Sequence, residues 1–579
     1  DLHIVETHWG GAFHNWMISP TEKKKKKISE AFIREWEKEF GKCDYYLVDS
    51  FNEMDIPFPE KGNPARYEMA ASYGEKVYSA IKKANKDAVW VMQGWMFGYQ
   101  RHIWDYETLG ALVSHVPDDK MLLLDLAVDY NKHFWHSEVN WEYYKGFYNK
   151  QWVYSVIPNM GGKVGMTGVL DFYANGHLEA LSSANRGNLV AHGLAPEGIE
   201  NNEVLYELVT DAGWSSRRID VRDWLKQYSQ NRYGAAPERL MTAWDYLLKS
   251  VYGSFTDHPR FNWQFRPGSV KNGSINMNVD YFRGLEAFIS ASDELKDSPY
   301  YLTDLCEMTA HYLGGKAELL TKLIDQEYLL GDTLQARFLQ SRFETLMLGM
   351  DRILSQHPTL RLDRWLSFAS KSARTDAQRI QYETNARRIV TIWGPPVDDY
   401  AARIWSGLIG NYYLGRWKEY YRGRESGEAV NLVEENHDSY RWDSDLDVVS
   451  FAREMLALSK DISSASLLLN RPGMVGTWSL GPGEVKEFEF NVPARMLKGL
   501  KGITLECLKG NGLLECSGYV LEADGVVVAS SSEVVLSKDG KLYCKMLVPT
   551  DVKANNGCVL KLKLKSMDGN VAGSVACDM

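Results

Sequence analysis

Two glutamates stand directly after apolar, β-rich runs of the chain. Glu53 follows residues 44–51 (DYYLVDSF) with Asn52 in front of it, and Glu197 follows residues 188–194 (NLVAHGL). Catalytic side chains of β/α barrels lie just after the carboxyl ends of strands, where strands distant in sequence come together. A facing pair of carboxyls can cleave a glycosidic bond, because one protonates the leaving oxygen while the other attacks the sugar or activates water.

A structural role for each glutamate is the alternative, since an acid after a strand also stabilises the N-terminus of the next helix. The aromatic content bears on this choice. The chain has 19 Trp and 32 Tyr, and flat amphipathic rings are surfaces on which sugars can stack. Together with Asn52, whose amide can hold a sugar hydroxyl or acetamide, the pair of glutamates favours catalysis over capping.

The first 205 residues alternate short apolar runs with amphipathic stretches. The predicted strands are residues 44–51, 88–95, 121–126, 151–158 and 188–194, and there are six if residues 2–5 are the end of another. Continuous apolar strands separated by helices indicate a parallel sheet, and their spacing is typical of a (β/α)8-type barrel. Five or six strands cannot close a barrel of eight. We therefore expect the N-terminal barrel strands to be missing from this chain, and the natural protein to carry an extension that supplies them and part of the pocket.

The rest of the chain divides into a helical and a β-rich part. Helices are predicted at residues 221–228, 239–251, 280–291, 301–313, 333–354, 376–392 and 398–421. Short strands are predicted at residues 488–491, 502–507, 518–522, 525–530, 542–547 and 560–564. The sequence thus predicts a multidomain α/β protein, with a β/α-barrel catalytic domain at 1–205, an all-α domain at 206–470 that completes the active site, and a small C-terminal β-sandwich at 471–579.

Charge and composition disfavour several classes of protein. A net charge of −10 argues against nucleic-acid binding, and the basic run at residues 23–27 is interpreted as the first turn of a helix. No apolar run reaches the roughly 18 residues of a membrane span. The chain has no CxxC pair and no HExxH motif, so the sequence predicts no metal site and no cofactor. A disulfide and buried free thiols are both open for the C-terminal cysteines, which are Cys507, Cys516, Cys544, Cys558 and Cys577.

Longer motifs make the chain recognisable. They are DSFNEM (49–54), AVW with QGW (88–95), LLDL (123–126), Asn159 with Gly161-Gly162, APEGI with NEV (195–204), Trp224 with RYG (232–234), WGP with DYA (393–401), and NYY followed by RW (411–417). Carrying these motifs in this order, the chain resembles the α-N-acetylglucosaminidase family from about residue 5 to residue 460. Animal members of that family degrade heparan sulfate in lysosomes, and bacterial members trim mucin-type glycans.

The resemblance implies a retaining exo-glycosidase that removes terminal non-reducing α-linked N-acetylglucosamine by double displacement. In it, Glu53 would be the general acid/base and Glu197 the nucleophile. The substrate-binding residues that the resemblance implies are Asn52, Trp95, Asn159, Trp393, Val397 and Tyr400. Spacing alone would place Trp393 and Tyr400 in helix-packing core, and it leaves Asn159 open as a pocket donor or a turn residue.

Two further polar residues near the motifs are given no catalytic role. Glu203 begins a predicted helix, where a capping or salt-bridge role is favoured. His192-Gly193-Leu194 stands where the family usually has Thr-Gly-Met, and we expect His192 to be buried and hydrogen-bonded.

The resemblance also implies partners and a location. The expected partner is a glycan that ends in α-linked N-acetylglucosamine, of the glycosaminoglycan or mucin type, and homo-oligomerisation is left open. The expected protein is exported, to the bacterial periplasm or the extracellular space, or to the lysosome if the source is an animal.

Two alternative functions are a catalytically inactive carbohydrate-binding protein and a glycosidase of different hexosaminide specificity on the same barrel. The intact carboxyls disfavour the first. The second is disfavoured because no adjacent Asp-Glu or Asp-Asp pair follows a predicted strand.

Overall fold

The computed structural model describes residues 2–9, 13–163, 165–198, 200, 202–268, 275–394, 399–428, 442, 445–469, 473–510, 512–549, 552 and 558–579. The chain forms two compact units. The first comprises Asp1–Tyr312 and Met350–Arg453, and the second comprises Leu313–Gly349 and Glu454–Met579. Both candidate glutamates belong to the first unit.

An antiparallel hairpin precedes the parallel sheet of the first unit. Its strands are β1 (Ile4–Trp9) and β2 (Phe13–Ile18). The prediction that residues 2–5 end a further barrel strand is therefore wrong. A second extended run follows only a few residues later, so a local hairpin closes at a smaller entropic cost than a distant pairing.

The five other predicted strands are all present and form one parallel sheet, in chain order. They are β3 (Tyr45–Leu47), β4 (Val89–Gln93), β5 (Met121–Asp125), β6 (Gln151–Val156) and β7 (Asn188–Leu194). Trp90, Leu123 and Trp152 are fully buried in this sheet, which explains why its strands are continuous apolar runs. Within the described residues the sheet is open, so closure into a barrel stays a prediction.

Helices connect these strands and cover the sheet. They are α1 (Lys25–Phe40), α2 (Pro64–Ala84), α3 (Trp95–Tyr99), α4 (Tyr106–Val113), α5 (Val128–Tyr130), α6 (Asn140–Tyr143) and α7 (Leu170–Ser182). Local signals set where α2 and α4 begin. The Asn63 side chain accepts the Ala65 N–H in front of α2, and Asp105 accepts the Thr108 N–H in front of α4.

One side of α1 and the edge strand β3 expose apolar side chains. Phe32 is 66% exposed, Phe40 is 67% exposed and Leu47 is 57% exposed. β3 pairs with β4 alone among the described strands. An unpaired edge beside apolar surface is a place where further β/α units or another chain can add.

The described residues from Glu203 to Leu469 contain helices and no extended strand. The helices are α8 (Glu203–Ala212), α9 (Val221–Tyr233), α10 (Glu238–Leu247), α11 (Val279–Ser290), α12 (Ser292–Leu295), α13 (Pro299–Leu329), α14 (Thr333–Leu354), α15 (Leu362–Lys371), α16 (Asp376–Ile389), α17 (Leu414–Ser426) and α18 (Val448–Ser459). In the part of the chain that the structure covers, no helix combines the length and the apolarity needed to cross a membrane.

The prediction of a single helix over residues 398–421 is wrong in its first half. Asp399 and Gly407 have φ angles of 58° and 88°, and a left-handed residue cannot continue a right-handed helix. Helix α17 begins at Leu414, after the π-helical turn Ile409–Tyr413. Residues 399–408 therefore form a loop rather than the start of a helix.

The second unit contains two antiparallel sheets. Their strands are β8 (Met474–Leu480), β9 (Val485–Val492), β10 (Gly502–Lys509), β11 (Leu514–Ala523), β12 (Val526–Ser531), β13 (Val535–Leu536), β14 (Lys541–Lys545), β15 (Cys558–Ser566) and β16 (Val571–Asp578). One sheet has the order β14-β10-β16-β8 and the other the order β12-β11-β15-β9, with β13 on β11. Apolar residues of both sheets share one core. The cysteines of this unit are free thiols, and most of them are buried. Of the two alternatives for the C-terminal cysteines, the structure contains buried free thiols and no disulfide among the described residues.

The close packing of α2 on α4 gives a prediction about stability. A Cβ atom at Gly74 would lie 1.9 Å from the backbone oxygen of Leu112, which no side-chain rotation can relieve. We expect Gly74→Ala to lower the free energy of unfolding by about 1–3 kcal/mol, the usual cost of overpacking. Chemical denaturation monitored by circular dichroism measures this change.

Gly415→Ala is the matched control. Gly415 also lies inside a helix, α17, but its Cβ would meet no atom within 4 Å. There the same substitution should stabilise the protein by up to about 1 kcal/mol, because alanine is the better helix former. Equal effects of the two substitutions would contradict the packing account.

Candidate active site

Two donors hold the Glu197 side chain in place. Glu197 is exposed, and its Oε2 accepts a hydrogen bond from the backbone N–H of Gly161 and another, of 2.9 Å, from the hydroxyl of Tyr400. The residue follows β7, but helix α8 begins only at Glu203, so Glu197 does not cap it. Charge-assisted hydrogen bonds of this kind fix a carboxylate in direction as well as in position.

Glycine is required where the turn after β6 approaches Glu197. Gly161 and Gly162 have φ angles of 69° and 62°, in the left-handed region. A Cβ atom on Gly161 would lie 2.3 Å from the Tyr400 backbone oxygen, and one on Gly162 would lie 2.8 Å from the Glu197 backbone oxygen. The Gly-Gly motif therefore lets three segments of the chain meet at the carboxylate.

Asn159 stands at the start of the same turn and is only 3% exposed. Its Nδ2 donates to the Gly198 backbone oxygen at 2.7 Å, which ties the turn after β6 to the loop after β7. Its Oδ1 is buried and has no hydrogen-bond partner in the structure. Asn159 thus has a structural contact and also an acceptor that is free for a ligand.

Glu53 lies in a strained turn after β3. Its φ is 53°, and that of Phe51 is 59°, both rare for residues other than glycine. Such strain is frequent at functional sites, where the surrounding structure holds the backbone in place. Glu53 does not cap a helix either, because α2 begins only at Pro64.

The surroundings of Glu53 favour its protonated form. Burial raises the pKa of Glu53, and the negative charge of Glu197 raises that pKa further. The indole N–H groups of Trp95 and Trp9 oppose the rise, since each stabilises the carboxylate. The charge of Glu197 therefore acts on the Glu53 carboxyl.

Asn52 lies in the turn that follows β3, and Trp95 is the first residue of α3, directly after β4. Oδ1 of Asn52 and Nε1 of Trp95 are buried and make no hydrogen bond of good geometry in the structure, although the Trp95 indole lies near enough to Glu53 to lower its pKa. The Trp95 ring packs against Tyr99 and Trp135, with ring centroids 5.7 and 4.8 Å away. Because buried polar groups are seldom left without partners, these atoms are candidates to bind a ligand.

Tyr400 and Trp393 lie side by side, and neither is core. Trp393 is 40% exposed, and its ring centroid lies 5.4 Å from that of Tyr400. The φ of Trp393 is 52°, which is also rare for a residue other than glycine. Burial and then the charge of Glu197 raise the pKa of Tyr400, so its hydroxyl stays protonated and donates. Val397 lies outside the described residues.

A buried ion pair anchors the loop that carries Tyr400. The Asp399 carboxylate accepts from Arg416 Nη1 at 3.1 Å and from the Tyr412 hydroxyl at 3.0 Å. Asp399 is 4% exposed and Arg416 is 2% exposed. Arg260 donates to the Asp399 backbone oxygen at 2.7 Å. These contacts hold the left-handed backbone of Asp399 and so direct the next side chain towards Glu197.

Two basic residues near Glu197, the half-buried Arg403 and the buried Lys163, were not identified from the sequence. Arg403 donates to the backbone oxygens of Gly161 and Ala401, and burial lowers the pKa of Arg403 to about 10. Lys163 places Nζ 4.5 Å from the centre of the Tyr400 ring, and burial lowers its pKa well below the usual range. Lys163 adjoins the Gly-Gly motif, but nothing in the spacing of Arg403 indicates which backbone oxygens it reaches.

Glu203 and His192 lie outside this arrangement. Glu203 is the first residue of α8, and burial together with the charge of Asp304 raises its pKa. His192 stacks on Tyr154 with ring centroids 5.6 Å apart, and burial lowers the pKa of His192 to about 4. The imidazole is therefore neutral at neutral pH and fills a packing position.

Comparison with known proteins identifies the family. Residues 2–216 match the family model described as "Alpha-N-acetylglucosaminidase (NAGLU) tim-barrel domain", and residues 224–459 match the "Alpha-N-acetylglucosaminidase (NAGLU) C-terminal domain". Human alpha-N-acetylglucosaminidase is 30% identical over 434 residues, which cover 73% of this chain and 56% of the human protein.

Solved structures show the same fold. A family 89 glycoside hydrolase from Clostridium perfringens in complex with PUGNAc has a TM-score of 0.69 and 22% identity, over 80% of this chain and 54% of that chain. A Clostridium perfringens variant with two Glu-to-Gln substitutions, in complex with its substrate GlcNAc-α-1,4-galactose, has a TM-score of 0.66 and 22% identity, over 80% of this chain and 55% of that chain. The chain spans a little over half the length of these relatives. With family models matching most of its sequence, the chain belongs to the α-N-acetylglucosaminidase family.

Proposed function

We propose that this chain carries the catalytic pair of an exo-glycosidase that hydrolyses terminal α-linked N-acetylglucosamine with retention of configuration. One observation supports this most strongly: the pKa of the half-buried Glu53 is raised, in part by the charge of Glu197, and Glu197 is exposed and held by two donors. Glycoside hydrolysis needs this asymmetry, because one carboxyl must donate a proton while the other remains charged. In the Clostridium perfringens enzyme, the variant whose structure contains the substrate likewise has two glutamates replaced by glutamine.

In the proposed mechanism Glu197 attacks the anomeric carbon while Glu53 protonates the departing oxygen. The attack forms a glycosyl ester on Glu197 and removes its negative charge, so the pKa of Glu53 falls and Glu53 can deprotonate the incoming water. Water then displaces the ester and restores the charge of Glu197. The hydrogen bonds from Gly161 and Tyr400 keep one oxygen of Glu197 occupied and leave the other for the attack.

The linkage itself supports an enzyme nucleophile. In an α-linked N-acetylglucosamine the leaving oxygen and the 2-acetamido group lie on the same face of the ring. The acetamide therefore cannot attack from the opposite side, and the protein must supply the nucleophile. A retaining pair of carboxyls stands about 5–5.5 Å apart in the working site, whereas an inverting pair needs roughly 6.5–9.5 Å.

Substrate recognition is proposed for the side chains around the pair. Asn52 and Asn159 present buried oxygens without partners, and Trp95 presents a buried indole N–H near Glu53; these atoms suit sugar hydroxyls and the acetamide. Trp393 presents a ring for stacking on the apolar face of the sugar. Val397 is proposed as a neighbour of these residues on the basis of the family motif alone.

The larger context is also proposed from the family. We infer a barrel domain at residues 1–205, a helical domain at 206–470 that completes the site, and a β-sandwich at 471–579. The substrate would be a glycosaminoglycan or mucin-type glycan ending in α-linked N-acetylglucosamine. The protein would act outside the cytoplasm, in the periplasm, the extracellular space or a lysosome.

Replacing the proposed nucleophile tests the function. We expect Glu197→Ala to abolish release of the aglycone from an aryl α-N-acetylglucosaminide, because no other group can form the glycosyl ester. Added azide should then yield the β-glycosyl azide, as it attacks opposite the leaving group. For the wild type, proton NMR should show the α-anomer as the first product.

Glu200→Ala is the control, since it removes a carboxylate three residues away that pairs with Arg364 at 3.0 Å. Its rate should stay near that of the wild type. Sugar binding without turnover in the wild type would indicate an inactive carbohydrate-binding protein, and turnover of β-linked substrates alone would indicate a different specificity. First release of the β-anomer would overturn the retaining mechanism.

Tyr400→Phe tests the contact that orients Glu197. Loss of a hydrogen bond to a charged group costs about 1.5–3 kcal/mol, so we expect kcat/KM to fall by about 10–100-fold with the fold intact. Steady-state kinetics on the same aryl substrate measures the change. Tyr420→Phe, on α17, is the control and should leave kcat/KM unchanged. Equal rates for Tyr400→Phe and the wild type would show that the hydroxyl does not act through Glu197.

A further inference from the structure

One face of the hairpin β1–β2 gathers two histidines and a glutamate. Glu6 and His8 alternate with Thr7 on β1, and Thr7 is buried, so the two other side chains lie together on the opposite face. His14 pairs directly across from His8 in the strand register. The two imidazole rings meet edge to face with centroids 4.9 Å apart, and Nδ1 of His14 contacts Oε1 of Glu6.

These three side chains have the chemistry and spacing of metal ligands. One ligand atom of each lies within 4.8 Å of the others. Zinc binds imidazole nitrogen and carboxylate oxygen at about 2.0–2.2 Å, so ligand atoms in a tetrahedral site are about 3.3–3.5 Å apart. Small rotations of exposed side chains can reach that spacing.

We propose that Glu6, His8 and His14 form a binding site for a divalent transition-metal ion, with Zn2+ as the favoured ion and water as the fourth ligand. Two imidazoles and one carboxylate suit zinc better than the hard ions Mg2+ and Ca2+, which prefer oxygen ligands alone. The side chains of His8, His14 and Glu6 are 40%, 66% and 38% exposed, so an ion can enter from solvent and keep a bound water.

A carboxylate outside this set supports the assignment. Oδ2 of Asp55 lies 3.5 Å from Nδ1 of His8. Metal-bound histidines usually direct their second ring nitrogen to a carboxylate, which fixes the ring and raises its basicity. With Nδ1 of His8 directed to Asp55, Nε2 is the nitrogen that would bind the ion, and Asp55 would orient the ring.

Asp55 also shows what the ion would stabilise. Its backbone N–H donates to the His8 backbone oxygen at 3.2 Å, and Trp9 forms a β-bridge with Met54. The hairpin therefore lies against the turn that follows β3. A bound ion would crosslink the two strands of the hairpin and, through Asp55, restrain that turn. This inference does not depend on the proposed function, because it concerns metal binding alone.

The test is a titration of the metal-free, reduced full chain with Zn2+ and, separately, with Co2+. We expect one tight Zn2+ site by calorimetry, and a visible Co2+ absorption spectrum of the tetrahedral kind without a thiolate charge-transfer band. His14→Ala and the nearly isosteric Glu6→Gln should each weaken binding by more than about 100-fold. Asp55→Asn should weaken it by about 10–100-fold, the usual effect of an orienting partner.

His115→Ala is the matched control, since His115 is an exposed histidine outside the cluster, and it should bind Zn2+ like the wild type. Thermal unfolding of each metal-free variant establishes that it is folded. Zn2+ should raise the Tm of the wild type and of His115→Ala but not that of His14→Ala. Equal affinity in His14→Ala and the wild type, or a thiolate band in the Co2+ spectrum, would overturn the proposal.

Discussion

The candidate site depends on how one carboxylate is held. Oε2 of Glu197 receives the N–H of Gly161 from the turn after β6 and the hydroxyl of Tyr400 from the loop before the π-helical turn. Both donors must approach closely, which explains the left-handed glycines at 161 and 162 and the absence of space for a Cβ atom there. The buried Asp399–Arg416 ion pair is needed for the same contact, because it holds the backbone conformation from which the Tyr400 side chain reaches Glu197.

The second carboxyl owes its properties to its own burial and, to a smaller extent, to the charge of this first one. Burial raises the pKa of Glu53, and the fixed charge of Glu197 raises it further. The left-handed turn at Phe51 and Glu53 costs conformational energy, as does the similar conformation of Trp393. Unpartnered oxygens on Asn52 and Asn159 add to this local cost. Several departures from local rules therefore lie around the pair of glutamates, as is expected where structure has been selected for function rather than for stability.

The sequence predicted those parts of the fold and site that depend on local pattern. Continuous apolar runs revealed the five parallel strands, and their ends revealed Glu53 and Glu197 as candidates. The sequence pattern failed to predict the structure where long-range contacts determine the backbone conformation or the strand pairing. Residues 2–5 pair within a hairpin, and residues 399–408 leave the helix because Asp399 is held in a left-handed conformation by distant partners. For the same reason, no local pattern revealed that Arg403 reaches the backbone of Gly161, or that His8 and His14 face each other.

The central claim is that the two glutamates form an electrostatically coupled pair, and a titration of Glu53 tests it most directly. The carboxyl carbons of 13C-labelled glutamate report each pKa by NMR in the folded protein. Replacing Glu197 by glutamine removes its charge but little of its volume, so the pKa of Glu53 should fall. Glu203→Gln, which removes a carboxylate on α8, should leave that pKa where it is in the wild type. An unchanged pKa of Glu53 in Glu197→Gln would contradict the account.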